Sequence, residues 1–200
     1  MTDVTKMPDR KIQHEKTDNA SSDSLRDLDQ AGPAMPDNPA WCIKRPRAWP
    51  FKPRDGSSLS WWRTLPSDSF REPERQLLLA TLERISVLHG GDDLAAALHG
   101  DAAAAIGAAL DLMPIGDITL QVDIKLTALM RTALDGKAAS ALVMGQILGL
   151  TDVGHELATE LAASWLSYGE QLSDEPHKFR QAKVALVAAF EERWNRGDNA

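Results

Sequence analysis

Cysteine is nearly absent from this 200-residue chain, in which Cys42 stands alone. One thiol can form neither an internal disulfide nor a multi-cysteine metal site, so the chain suits a reducing compartment. Long apolar runs are also missing, because no segment reaches the roughly 20 apolar residues that span a bilayer. The N-terminus is charged where a signal peptide needs an apolar run. The sequence therefore predicts a cytoplasmic protein without a membrane partner.

Aromatic residues are also scarce, at 6% of a chain that is 43% hydrophobic. Alanine and leucine must carry most of the apolar content, which favours closely approaching helices over sheets rich in branched and aromatic residues. The sequence predicts an all-α fold of antiparallel helical hairpins, stacked as a short solenoid-like array or as a bundle.

Motifs for catalysis and for cofactor binding are missing too. The chain has no phosphate-binding loop, no Gly-x-Gly-x-x-Gly after a strand and no Gly-x-Ser-x-Gly elbow. The stretch HELATE that begins at His155 lacks the second histidine that a zinc-binding helix needs. Asp117 and Asp123 lie six residues apart, so on a helix they point to different faces and make a poor carboxylate pair. We predict a protein that is not an enzyme and that binds no cofactor or metal.

Charge divides the chain into three parts. Residues 1–40 carry a net charge of −3, residues 41–63 carry +5, and the remainder carries −9. The first part has too few apolar residues to offset the entropy of ordering its backbone. The predicted organisation is a disordered tail over 1–40, an extended Trp/Arg/Pro-rich segment over 41–66 and an α-helical repeat-like domain over 67–197.

The basic segment reads WCIKRPRAWPFKPRDGSSLSWWRTLP and contains four of the six tryptophans. Its four prolines predict an extended or looped backbone. Two interpretations remain open: the segment recognises another molecule, or it folds back onto the helical domain as a lid. Under the first interpretation, the candidate partner-binding residues are Trp41, Arg45, Arg47, Trp49, Phe51, Arg54, Trp61 and Trp62.

Helical periodicity covers the rest of the chain. A first helix is predicted from Ser69–Pro73 to His89, and a short helix over Asp93–His99 follows it. Four further helices alternate between near-apolar and amphipathic character, and a last helix ends at Gly197. Their predicted ranges are 101–113, 118–134 with Asp117 as its cap, 137–150, 155–172, and 173 or 174 to 197.

Two stretches of this region repeat each other at an offset of 36 residues. ALHGDAAAAIGAALDL over 97–112 and ALDGKAASALVMGQIL over 133–148 align when Gly100 is superposed on Gly136. A period of this size indicates a two-helix unit that buries its apolar face against a copy of itself. Because a helix that is apolar nearly all round must be covered on several sides, the second stretch is predicted to be an inner helix.

The repeat resembles the tetratricopeptide-like families of short helical hairpins, in their glycine-containing variety. The resemblance rests on Gly100, Asp101, Ala102, Ala105 and Ile106, which recur as Gly136, Lys137, Ala138, Ala141 and Leu142. Ala162 and Trp165 match the Ala-x-x-Trp pairing of the second helix, and the likeness covers about residues 94–172. The structural repeat positions are Gly100, Ala105, Gly136, Ala141 and Trp165.

The resemblance implies a scaffold that binds protein segments on its concave surface. We therefore predict an adaptor or regulatory protein that holds a partner protein in the groove of its second helices, where acidic residues select basic partners. The alternative is a nucleic-acid-binding accessory protein. Segment 41–63 would then neutralise phosphates with its cations and stack bases on its aromatic rings.

Overall fold

The computed structural model describes residues 48–85 and 92–197, and these residues form helices without any strand. The predicted all-α class is confirmed. Trp41, Arg45, Arg47 and the predicted tail over 1–40 lie outside the described residues. The α-helices are α1 Glu72–Arg84, α2 Asp92–Leu98, α3 Ala102–Leu110, α4 Leu120–Leu134, α5 Ala138–Leu150, α6 Ala158–Leu172 and α7 Pro176–Gly197.

Several helix boundaries differ from those predicted, including the end of α3 at Leu110 instead of 113 and the start of α6 at Ala158 instead of 155. The helix expected to begin after Asp117 begins at Leu120, because the Thr119 hydroxyl accepts a hydrogen bond from the backbone N–H of Val122 at 3.4 Å and caps the first turn. The first helix ends at Arg84 in the described part of the chain. Its predicted extension to His89 lies outside the described residues.

Helix α5 is an inner helix of the fold, as its apolar sequence predicts. It packs against α4 on one side and against α6 and α7 on the others. Ala141, Met144, Ile147 and Leu148 are each fully buried. At Gly145, an added Cβ would lie 2.6 Å from Cγ of Leu166 on α6. The absence of a side chain at this glycine therefore lets α6 approach closely.

The two repeat glycines adopt the same turn. Gly100 has a φ of 97° and Gly136 a φ of 92°, a left-handed conformation that glycine adopts without steric cost. The N–H of Gly100 donates to Ala97 O at 3.0 Å, and the N–H of Asp101 donates to Ala96 O at 3.0 Å. The second turn makes the equivalent pair of bonds 36 residues later, at 3.0 and 3.1 Å. Both α2 and α4 thus end in a Schellman motif.

Arginines bind the carbonyl groups that these helix ends expose. Arg131 of α4 donates to Leu98 O at the end of α2. Arg75 of α1 donates to Leu134 O at the end of α4, at 2.6 Å. Leu98 and Leu134 are repeat-equivalent positions, and a cation at a helix C-terminus also complements the helix dipole. The guanidinium groups therefore link α4 to α2 and α1 to α4.

The last two helices are joined by ion pairs around Glu170. Arg180 Nε and Lys183 Nζ each lie 3.0 Å from a carboxylate oxygen of Glu170. Partial burial alone would raise the pKa of this carboxyl. The hydrogen bonds and charges of Lys183 and Arg180 outweigh burial, so the pKa is lowered from its ordinary value. The carboxylate is therefore held ionised between α6 and α7.

Among the helices that the structure describes, none combines the length and apolar character that crossing a bilayer requires.

Candidate interaction surfaces

Residues 49–70 run across the helices, and we call them the strap. They include three short 3-10 helices, Pro53–Asp55, Ser58–Arg63 and Ser67–Ser69. The segment was predicted to be extended or looped because of its prolines. Ser58–Arg63 nevertheless forms a 3-10 helix, since no proline lies between Pro53 and Pro66 to interrupt it.

Trp61 and Trp62 of the strap belong to the hydrophobic core. They are 2% and 0% exposed, and they join the same cluster of buried side chains as the helices. Trp61 Nε1 donates to Pro53 O at 3.1 Å, and Trp62 Nε1 donates to Asp123 Oδ1 at 2.7 Å. Both were candidate partner-binding residues. A base or a partner side chain can stack on these rings only if the strap leaves the helices.

The other candidates in the described part of the segment are more accessible. Trp49 is half-buried and donates from Nε1 to Thr64 O at 2.7 Å. Phe51 is also half-buried, with its ring centroid 5.0 Å from that of His155. Arg54 is exposed. Among the candidates that the structure describes, Arg54 alone therefore lies fully at the surface.

Asp123 anchors the strap on α4. Its Oδ1 accepts from Trp62 Nε1 and lies 3.3 Å from Nε of Arg63. The carboxylate side chain is 16% exposed and the arginine side chain 29%, so the pair is only partly screened by water. The sequence indicates for Asp123 only that it makes a poor carboxylate pair with Asp117. Its role in the structure is to hold an indole and a guanidinium.

The helices also bind the backbone of the strap. Thr127 of α4 donates from Oγ1 to Leu59 O at 3.0 Å. His155, just before α6, lies with Nε2 2.6 Å from Arg63 O. Because a carbonyl oxygen only accepts, Nε2 of His155 carries the proton. Thr127 and His155 thus fix the strap through carbonyl groups rather than through its side chains.

The end of the strap packs against α6. Phe70 is 6% exposed and places its ring between those of Trp61 and Trp165, with centroid distances of 6.0 and 5.9 Å. Ser67 donates from its backbone N–H to Ser164 Oγ at 3.2 Å and from its own Oγ to Ser164 O at 3.1 Å. The strap therefore covers parts of both second helices, α4 and α6. A partner peptide was predicted to bind on these helices.

A different surface is left open on α3. Its sequence, AAAAIGAAL, contains no polar side chain, yet only Ala105 and Ala109 are buried. Leu110 is 42% exposed, and a Cβ added at Gly107 would meet no atom within 4 Å. We define the α3 face as the stripe at helical spacing that consists of Ala103, Ile106, Gly107 and Leu110. Ile106 is half-buried against the core, and the other three positions are exposed.

The neighbourhood of the α3 face in the sequence is acidic. Residues 92–124 contain six aspartates and neither lysine nor arginine. Asp101 precedes α3 and Asp111 follows it, and both are exposed. Arg131, which approaches the start of α3 from α4, is already engaged by Leu98 O and by Asp135 at 3.6 Å. The α3 face therefore lies between negative charges.

No group of three or more His, Cys, Asp or Glu residues that could hold a metal ion is found in residues 48–85 and 92–197. The zinc-binding possibility weighed for His155 gains no second ligand from this part of the fold.

Comparison with family models, with curated proteins and with solved structures finds no match for this chain.

Proposed function

We propose that the protein is a non-enzymatic adaptor or regulatory protein that binds a partner protein through its helical domain. The α3 face carries this proposal. A helix that is apolar all round is normally covered on several sides, and α5 is covered in this way. The outward side of α3 meets no described residue at Gly107 and carries no charge. Such a surface is typical of a protein interaction site. The single cysteine supports a reducing, cytoplasmic location for this binding.

The strap changes where the partner is expected to bind. Because Ser58–Phe70 covers parts of α4 and α6, a peptide could enter the predicted groove only by displacing Trp61 and Trp62. Truncating a buried aromatic residue costs about 3 to 5 kcal/mol, so removing two from the core is costly. Binding to the free α3 face requires no such rearrangement.

Photo-crosslinking in the native host tests this function. A benzoylphenylalanine residue at Gly107 occupies open space, and the same residue at Val184 of α7, which is 48% exposed, is the matched control. We expect position 107 to yield a protein adduct of discrete mass that position 184 does not yield. An absence of adducts at 107, or the same adducts at both positions, contradicts the proposal.

A second candidate function is nucleic-acid binding through residues 41–63. Lys52 and Arg54 support it, since both are exposed around the turn Pro53–Asp55. Trp61 and Trp62 are inside the fold, so the described part of the segment offers phosphate contacts without these stacking rings.

A salt titration with single-stranded and duplex DNA tests this second function. It predicts affinity that falls steeply as salt rises. Affinity should also disappear in a variant with Lys44, Arg45, Arg47, Lys52 and Arg54 replaced by glutamine. Unaltered affinity in that variant excludes the segment as the binding site.

A further inference from the structure

We propose that the partner of the α3 face is a cationic amphipathic helix, which lays its apolar side along α3 and directs its lysines or arginines towards the flanking aspartates. This inference rests on the proposed function and specifies the chemistry of the partner.

The shape of the α3 face suits a helix. Ala103, Ile106, Gly107 and Leu110 follow the i, i+3, i+4, i+7 spacing of one side of a helix. Ala103 and Gly107 are small, so the axis of a second helix can approach to the short end of the usual range, about 8 Å. Leu110 provides a larger exposed side chain, and half-buried Ile106 adds apolar surface at the edge of the face. The nine residues of α3 span about 14 Å, so a partner helix of about three turns would cover the face.

The charges of the surroundings select a cation. Asp101 and Asp111 lie at the two ends of α3, and residues 92–124 contain neither lysine nor arginine. Asp101 also caps α3, since its Oδ1 accepts from the Ala104 N–H at 2.8 Å. Asp111 stands at the C-terminal end of α3, where the helix dipole disfavours negative charge. This unfavourable placement is compensated if a partner brings a positive charge to Asp111.

The same charges argue against two other occupants. A second copy that packed its own α3 face here would bring its aspartates next to these, and like charges would repel. An anionic lipid surface would be repelled in the same way. The remaining internal candidate is the basic stretch 41–47 of this chain, which lies outside the described residues.

The test measures fluorescence anisotropy of two labelled 14-residue helical peptides on the full-length protein. Both peptides carry leucine along one side, and their other positions are lysine in one and glutamate in the second. We expect the Leu/Lys peptide to bind at least about tenfold more tightly than the Leu/Glu peptide, since opposite charges flank the site.

Gly107→Arg is the decisive variant. The arginine side chain projects into open space, so the fold is retained, as circular dichroism would verify. It adds both bulk and positive charge at the centre of the α3 face. We expect the Leu/Lys peptide to bind about tenfold or more weakly to this variant. Ala188→Arg on the exposed side of α7 makes the same change of charge and should leave the affinity unchanged.

Neutralising one aspartate separates charge from bulk. Asp111→Asn should lower the affinity for the Leu/Lys peptide about threefold or more, because it removes a negative charge next to the cationic peptide. Glu83→Gln, at an exposed position of α1, removes one negative charge elsewhere and serves as the control. Equal losses in both variants would mean that the peptide responds only to net charge, which overturns the proposal.

Other outcomes also overturn it. They are equal binding of the two peptides, unchanged binding to Gly107→Arg, or crosslinks from position 107 to residues 41–47 or to a second copy. If position 107 crosslinks to a discrete partner but no Leu/Lys peptide binds, the proposed function stands and the cationic helix is rejected. If both experiments are negative, both proposals are rejected.

Discussion

At the scale of single residues, Asp123 shows how one side chain decides the position of a whole segment. Its carboxylate accepts from the buried indole N–H of Trp62 and pairs with the half-exposed Arg63. A buried N–H without an acceptor loses the free energy of solvation that water provided in the unfolded chain. The position of the strap on α4 therefore depends on an acceptor at residue 123.

Asp123→Ala should lower the free energy of unfolding by about 1 to 3 kcal/mol, because it leaves the Trp62 indole N–H unpaired in the core. Asp123→Asn keeps an acceptor oxygen and should cost less. Urea denaturation of the three proteins measures the difference. Equal losses in the two variants would show that the hydrogen bond to Trp62 does not hold the strap.

Gly145 and Gly107 are glycines on the two repeat helices in opposite environments. Gly145→Leu places a side chain where Leu166 is only 2.6 Å from the Cβ position. We therefore expect overpacking to lower the free energy of unfolding by about 1 to 3 kcal/mol. The side chain of Gly107→Leu projects into open space. Its higher helix propensity should raise the free energy of unfolding by about 0.5 to 1 kcal/mol. Thermal denaturation of both variants checks these opposite signs. Two changes of the same sign would contradict the close approach of α5 and α6.

At the scale of elements, the glycine turns and their arginines define how the helices follow one another. The sequence placed a glycine shortly after each of the predicted helices 93–99 and 118–134, at the position that glycine usually takes in a Schellman motif. It could not predict that Arg131 and Arg75 bind the repeat-equivalent carbonyls of Leu98 and Leu134. Arg131 lies 33 residues beyond Leu98, and Arg75 lies 59 residues before Leu134.

Alanine at either turn glycine should destabilise the protein by about 1 to 2 kcal/mol, because both have positive φ. Gly100→Ala should lower the free energy of unfolding more than Gly136→Ala. An added Cβ at Gly100 would lie 3.3 Å from the Arg131 guanidinium, whereas one at Gly136 would meet no atom within 4 Å. Chemical denaturation of the two variants tests the order. A larger cost at Gly136 would contradict the described contact of Arg131.

Glu170 should make the packing of α6 on α7 dependent on pH. Its pKa is lowered in the folded protein, so its contribution to stability is fully present above the ordinary value of 4.5 and is lost as pH falls through the lowered folded-state pKa. At pH 7, Glu170→Gln should be less stable than the natural protein by about 1 kcal/mol or less. The gap should close as pH falls below 4.5. If the difference in free energy of unfolding between the two proteins stays constant from pH 7 to pH 3, ionisation of Glu170 does not contribute to stability.

At the scale of the whole molecule, the sequence predicted where the helices lie along the chain better than it predicted the burial of the strap against them. Periodicity and glycine placement located α2 to α7 to within a few residues. The burial of the strap was only one of two open interpretations, because prolines and positive charge made residues 41–66 resemble a separate segment. The spacing of Trp61, Trp62 and Leu65, one face of a helical turn in a stretch without proline, was the signal for burial.

The exposure of α3 could not be predicted from its own residues. The stretches over 97–112 and 133–148 have almost the same pattern, yet α5 is central while α3 exposes one side. The difference comes from the neighbours, because α6 and α7 both pack against α5, whereas α3 packs mainly between α2 and α4. The burial of each helix therefore depends on the helices that pack against it, and its own sequence pattern does not encode them.

The strap is part of the folded core, and the proposed binding is therefore expected elsewhere on the helices. Hydrogen exchange of the indole N–H groups in the full-length protein, followed by NMR, tests this most directly. If the strap is part of the core, the indole N–H groups of Trp61 and Trp62 exchange as slowly as the backbone amides of α5, through global unfolding alone. Rapid exchange at Trp62 while the amides of α5 remain protected would show that the strap opens by itself, which contradicts the account.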